Sequence, residues 1–289
     1  MTFRWLAPPR FHSRRLVNLD VRVMTMPMAH TSLKAAAATQ VEVLCALILR
    51  ETHVRFGFTR LGFLWVLIEP MAHALGLSLI YYLMGRSSPV GGSVVVFFIT
   101  GLLPFFLWNK VSRRLITSFT SDRPLLLMPI VTRLDILVAR ALMEGAAWIV
   151  VTVSVLTLLV ANGFCDPPYD IARVCQASAV TFLLGFGVGT INATVTTLFR
   201  SWQNIFTIVT RPLYLASGVF YLIDELPYAA REVLSWNPIV HSVEWFRSAF
   251  YPSYTTMTLD TDYLVKWAIA TFVIGLVLER LARRRVTST

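Results

Sequence analysis

Residues Thr210 to Arg247 read TRPLYLASGVFYLIDELPYAAREVLSWNPIVHSVEWFR, and their reading decides the fold. The stretch opens as an apolar helix through Tyr221 and is broken by Asp224, Glu225 and Pro227. It re-enters from Ser235, where charges and aromatic rings alternate too closely for a span that faces lipid. Backbone that leaves helical geometry at membrane depth persists only where protein or a water-filled cavity surrounds it. The stretch is therefore a candidate pathway element.

The flanking sequence sets that stretch in a membrane. Of 289 residues, 56% are hydrophobic and only 15% are charged, which excludes an ordinary soluble domain of this length. The apolar run at residues 61–84 is long enough to cross a hydrocarbon core of roughly 30 Å, and further spans are read at residues 93–108, 136–160, 174–199, 205–223 and 263–278. Residues 85–92 read as a short turn, and residues 110–135 as a polar, basic connection with a short apolar core. In this arrangement five of the 26 lysines and arginines (Arg86, Arg173, Arg231, Arg247 and Lys266) fall on one side of the membrane. The rest lie on or near the other side. Basic loops mark the cytoplasmic face, so both termini are expected there and the number of spans is even. The net charge of +10 is thus a topology signal, not the footprint of a nucleic acid.

Residues 1–35 are basic, proline-punctuated and without helical period, and are expected to be a disordered extension. No cleavable signal peptide is read there, because no apolar region follows Arg14-Arg15. Residues 36–60 are expected to form an interface helix, with Val41, Leu44, Leu47 and Ile48 in the membrane surface. Glu42, Arg50, Glu51, His53 and Arg55 would then turn toward headgroups; an ordinary solvated helix is the alternative. The expected fold is an all-α polytopic membrane protein. It has six transmembrane helices, the N-terminal amphipathic interface helix, and short re-entrant helices between the fifth and sixth spans.

Residues with catalytic potential are sparse. Gly185-Phe-Gly187-Val-Gly189 lies mid-span with no following Lys-Ser/Thr, so it is not a phosphate-binding loop. Gly185, Gly189 and Ala193 are spaced four apart, which instead lets another helix approach closely. No nucleophile elbow or metal-binding pair is present, so neither a catalytic group nor a metal site is expected. Cys165 and Cys175 flank one loop and are either a disulfide or two unrelated thiols; Cys45 stands apart. Two ionisable groups sit inside the first span: Glu69, followed by Pro70, and His73 on the same face. Charge at that depth faces a cavity or a partner, or else Glu69 bonds a neighbouring helix at a proline kink. Arg140 and Glu144 are expected to pair across one helical turn.

The spacing of Thr210, Leu213, Ala216-Ser217, Val219, Leu226-Pro227 and Pro238-Ile239-x-His241-x5-Arg247 resembles the signature of the membrane subunit of type-2 ABC exporters. Arg50-Glu51-x3-Arg55-Phe56-Gly57, then Leu61-Gly62-x2-Trp65-x3-Glu69-Pro70, resembles the capsular-polysaccharide branch of that family. So do residues 119–144 and the run WNPIVHSVEWFRSAFYPSY. The resemblance covers about residues 40–280 and makes residues 61–289 a type-2 ABC transmembrane domain. It implies a homodimer of six-span permeases in the bacterial inner membrane, bound to two copies of a separate ATPase. ATP and Mg would be held by that ATPase, and this chain would hold no cofactor. A short helix with Arg123, Pro124, Leu125, Leu126 and Met128 would dock on the ATPase. The residues themselves allow this, as an apolar knob between prolines in a basic loop; a loop tucked against the membrane is the other reading.

The cargo implied is a lipid-linked, often acidic polysaccharide, passed on to a periplasmic adaptor and an outer-membrane export protein. Candidate path residues are Glu69, His73, Arg211, Tyr214, Tyr221, Trp236, His241 and Arg247. Aromatic rings stack on the C–H faces of sugars, and guanidinium groups attract carboxylate or phosphate. Against this stand an interfacial aromatic belt and pairing of the arginines with Glu244 or Glu225. Within the family the rival cargoes are O-antigen, teichoic acid or a hydrophobic drug. Outside it, an integral-membrane lipid or glycosyl transferase would need paired acids beside a donor-binding domain. A passive channel would have no use for a docking knob.

Overall fold

The computed structural model describes residues 33–56, 61–122, 125–128, 130–252, 254 and 256–286. All regular structure among them is helical. The α-helices are α1 (Leu33–Phe56), α2 (Leu61–Leu83), α3 (Val94–Ile116), α4 (Ser118–Ser121), α5 (Arg133–Ala161), α6 (Ile171–Leu198), α7 (Trp202–Leu215), α8 (Tyr228–Ser235), α9 (Pro238–Ser248) and α10 (Thr261–Val286). Single 3-10 turns lie at Leu125–Leu127 and Ile223–Glu225. The chain divides into a first unit, Met1–Thr39, and a second, Gln40–Thr289. In the first, only the opening turns of α1 are described; everything below concerns the second.

The core is built on α3, which packs against α6, α2, α5 and α9. Its residues Val96 to Trp108 are buried without interruption, including Pro104. Pro104 leaves the helix continuous. In lipid no hydrophobic force drives helices together, so close van der Waals packing of small residues must do it. That is the role of the α6 glycines: a Cβ on Gly185 would stand 3.1 Å from the Trp108 carbonyl oxygen of α3. On the opposite face, a Cβ on Gly187 would stand 2.5 Å from the Phe272 amide nitrogen of α10. The expected packing stripe thus exists and is double, sandwiching α6 between α3 and α10.

Helix starts follow their caps. Ser93 caps α3, Asp170 caps α6, and Thr132 with Asp135 forms a capping box on α5. Among the described residues, four helical stretches are long and apolar enough to cross a membrane: Leu64–Leu83, Val94–Ser121, Arg133–Ala161 and Ile171–Leu198. These correspond to the first four expected spans.

Elsewhere the structure departs from expectation. Helix α3 continues to Ile116, so Lys110, Arg113 and Arg114 are helical rather than part of a connection. The apolar helix expected through Tyr221 stops at Leu215. Pro212 sits in its last turn, and Gly218 follows with φ +73°, a left-handed conformation open to glycine and strained for L side chains. The freed carbonyls are answered by side chains: Asn237 Nδ2 donates to the Ala216 oxygen at 3.0 Å and Arg247 Nη2 to the Gly218 oxygen at 3.1 Å. Residues 1–32, with most of the expected extension, lie outside the described residues.

Candidate functional site

Three clusters lie along α3. The first, at its C-terminal end, joins α1, α3, α5 and the segment after α4. Asp122 is 2% exposed and sits between two arginines: Arg50 Nη2 of α1 at 3.0 Å and Arg140 Nη2 of α5 at 2.9 Å. Glu51, also 2% exposed, pairs with Arg114 and lies 3.6 Å from Arg140 Nε. One turn along, Arg55 pairs with Glu144, which also accepts from Trp148 Nε1 at 3.2 Å. The predicted Arg140–Glu144 pair is therefore not made; each residue reaches a different element. Nor do the charges of α1 all turn outward, since Glu51 is buried and Arg50 and Arg55 pair inward. Buried charges of this kind are tolerable only when matched, and removing one partner strands the other.

This cluster holds the predicted docking knob. The Asp122 carbonyl accepts from the amides of Leu125 at 3.0 Å and Leu126 at 3.3 Å, which shapes the 3-10 turn Leu125–Leu127. Met128 and Ile130 are more than half exposed beside it. Arg123 and Pro124 lie outside the described residues.

The second cluster lies halfway along α3, around Phe106. His73 meets its ring edge-on at 5.3 Å, and Lys110 Nζ lies 6.0 Å above it. The Tyr214 ring stacks alongside at 6.5 Å. Lys110 also binds both oxygens of Glu69 at 2.6 Å. Three predicted path residues, Glu69, His73 and Tyr214, are thus brought together by two that went unnoticed, Phe106 and Lys110. A signal was available. Glu69 lies 14 residues before the end of α2 and Lys110 lies 16 after the start of α3. At 1.5 Å per residue these are about 21 and 24 Å from one shared turn, hence the same depth.

The third cluster lies at the N-terminal end of α3. Arg247 has no exposure, pairs with Glu244 at 3.3 Å, and lies 4.3 Å from the Phe97 ring centroid. Glu244 in turn accepts from the Tyr254 hydroxyl. The pairing of Arg247 with Glu244, one of those open to it in the sequence, is present. Tyr221 is half-buried, its hydroxyl donating to the Leu215 oxygen at 2.9 Å. Arg211 is exposed on α7. Trp236 and His241 line a cleft of about 520 Å³. The Asp260 amide donates to His241 Nδ1 at 3.1 Å, so the proton sits on Nε2, which bonds the Ser235 oxygen at 2.7 Å. Burial holds this imidazole below its ordinary pKa, against the opposing pull of the Ser235 carbonyl and Asp260. Cys165 and Cys175 are free thiols, so their predicted alternative as a disulfide is not realised. Among the described residues no group of His, Cys, Asp or Glu is arranged to hold a metal.

A helical chain with four membrane-length apolar helices and ion pairs buried between them is a polytopic membrane protein. Within that class, residues 42–251 match the family described as ABC-2 type transporter, and the chain belongs to it. It is 33% identical over 236 residues to the polysialic acid transport protein KpsM of Escherichia coli, covering 81% of this chain and 91% of the relative. It is 27% identical over 250 residues to the capsule polysaccharide export inner-membrane protein BexB of Haemophilus influenzae, covering 86% and 94%. To the corresponding protein CtrC of Neisseria meningitidis serogroup B it is 26% identical over 246 residues, covering 85% and 93%.

Proposed function

We propose that this chain is the permease of an ATP-driven exporter that moves lipid-linked, acidic capsular polysaccharide across the bacterial inner membrane. The observation that carries this reading is the near full-length similarity to three proteins named for capsule polysaccharide or polysialic acid transport. Two permeases pair, and each binds one copy of a separate ATPase that holds ATP and Mg; this chain contributes no cofactor and binds no nucleic acid. Residues 1–35 are an extension, residues 36–60 an interface helix and residues 61–289 the transmembrane domain. α7 with the segment after it, and α10, complete six spans; α8 and α9 re-enter from the periplasmic side, and both termini are cytoplasmic. A periplasmic adaptor and an outer-membrane protein receive the polymer.

In mechanism, the ATPase grips the knob formed by Arg123, Pro124, Leu125, Leu126 and Met128. Closure of the ATPase moves the knob, and Asp122 carries that motion into α1 and α5 through Arg50 and Arg140. A stiff ionic joint suits this task, because it transmits displacement between rigid helices rather than absorbing it. Polymer then passes Arg211, Glu69, His73, Tyr214 and Tyr221 toward Trp236 and His241, with Arg247 bracing the broken helix. The test is deletion of the gene in its host. Surface glycan should vanish while lipid-linked glycan accumulates inside the cell. Unchanged surface glycan, or loss of glycan synthesis itself, would refute the reading.

A further inference from the structure

The cleft beside His241 has the makings of a ligand site. Its walls include Tyr228, Arg231, Glu232 and Trp236 from the α8 region, His241 from α9, and Asp260 and Tyr263 at the start of α10. Trp236 is 72% exposed and Tyr228 71%, so the chain leaves both aromatic faces uncovered at the cleft. The frame behind them is fixed. The Tyr263 hydroxyl donates to the Trp236 oxygen at 2.8 Å, and both ring nitrogens of His241 are taken by backbone groups on either side. Arg231 lies over the Tyr228 ring at 5.8 Å and has no acidic partner among the described residues. Glu232 and Asp260 share these walls, yet neither forms an ion pair with Arg231, and Asp260 accepts from the Tyr263 amide at 2.9 Å. A guanidinium that makes no ion pair, beside bare aromatic faces in a cavity, can take an anion with an apolar face.

From this we infer that the cleft binds an acidic sugar residue, with the pyranose ring on Trp236 and its carboxylate on Arg231. The inference rests on the polysaccharide reading and deepens it. The cleft would hold emerging polymer by one sugar at a time, a weak contact suited to release. A neutral hexose lacks the carboxylate, and a lipid phosphate lacks the ring face, so neither satisfies both walls.

The test uses the full transporter, this chain with its ATPase, in detergent, with saturation-transfer NMR as the readout. The probes are soluble oligomers of sialic acid and of galacturonic acid, with a maltooligosaccharide of equal length as the neutral control. At least one acidic oligomer should bind, and the neutral one about tenfold more weakly, the order lost with one charge-assisted contact. Trp236→Ala and Arg231→Gln should each weaken acidic binding by about tenfold, whereas Tyr169→Ala, an exposed ring outside the cleft, should not. Equal affinity in all variants, no acidic binding, or binding only of phosphatidylglycerol nanodiscs would overturn the inference. Glycan export by the same variants, scored in parallel, separates the two readings. If the wild-type chain exports glycan but the cleft variants bind like wild type, this inference alone falls. If the wild-type chain exports none, both fall.

Discussion

Replacing Asp122 by asparagine keeps the shape of the joint at the end of α3 and removes its charge. The carboxylate is 2% exposed and lies 3.0 Å from Arg50 and 2.9 Å from Arg140. Loss of one member of a buried pair destabilises by about 3–5 kcal/mol, because the opposite charge is left without compensation. Here the effect should sit near the lower bound, about 3 kcal/mol. The Arg50 side chain is 41% exposed and regains water, and Glu51 remains 3.6 Å from Arg140. Thermal unfolding of the purified transporter reads this loss. A double-mutant cycle with Arg140→Met should return a coupling of about 0.5–3 kcal/mol, as residues in direct contact do. The functional signature is uncoupling: ATP hydrolysis persists while glycan export falls. Asparagine retains the backbone carbonyl that shapes the Leu125–Leu127 turn, so the knob itself stays formed. Wild-type stability and full export in Asp122→Asn would refute the reasoning.

Three further outcomes are expected. Glu69→Gln strands Lys110 at membrane depth and should destabilise by about 1–3 kcal/mol, with Glu69→Leu/Lys110→Met recovering much of the loss; failure of the double variant to recover would count against the pair. Gly187→Leu drives a side chain into the α10 backbone and should destabilise by about 1–3 kcal/mol or more, whereas Gly76→Ala, with open space around it, should unfold at or above the wild-type temperature. His241 is held neutral by burial, so below its ordinary pKa of 6.5 the unfolded chain takes up a proton that the folded chain resists. Its contribution to stability is therefore complete above about pH 6.5 and is lost as pH falls below it; a wild-type unfolding temperature that drops between pH 7.5 and 5 no more than that of His241→Gln would contradict this.

Hydropathy located the first four spans because it reports where the chain leaves hydrocarbon. It does not report where a helix ends, and α3 runs on through Lys110, Arg113 and Arg114, since Lys and Arg are good helix formers. The opposite error occurs after Leu215. Residues 216–222 are apolar enough to read as helix, yet they are irregular because Asn237 and Arg247, more than 20 positions away, bond the freed carbonyls. The same distance in sequence hid the joint. Within its own helix Glu51 reads as a headgroup-facing charge and Arg140 as a partner of Glu144, and only ion pairs reaching from α1 to α3 and α5 bring the two together. The apolar run from Leu125 to Met128 stands out in the sequence because prolines and charge isolate it. Among the candidate path residues, Tyr214 and His73 converge on Phe106, while Arg247 bonds the Gly218 carbonyl within the fold.

The most direct measurement is co-expression of tagged chain with the ATPase encoded beside it, in parallel with Leu126→Asp, followed by purification and native mass. The account predicts two copies of each chain for wild type, and loss of the ATPase from Leu126→Asp while the permease pair survives. A wild-type chain that purifies without an ATPase, or a Leu126→Asp variant that retains it fully, would contradict the coupling of this protein to a motor through that knob.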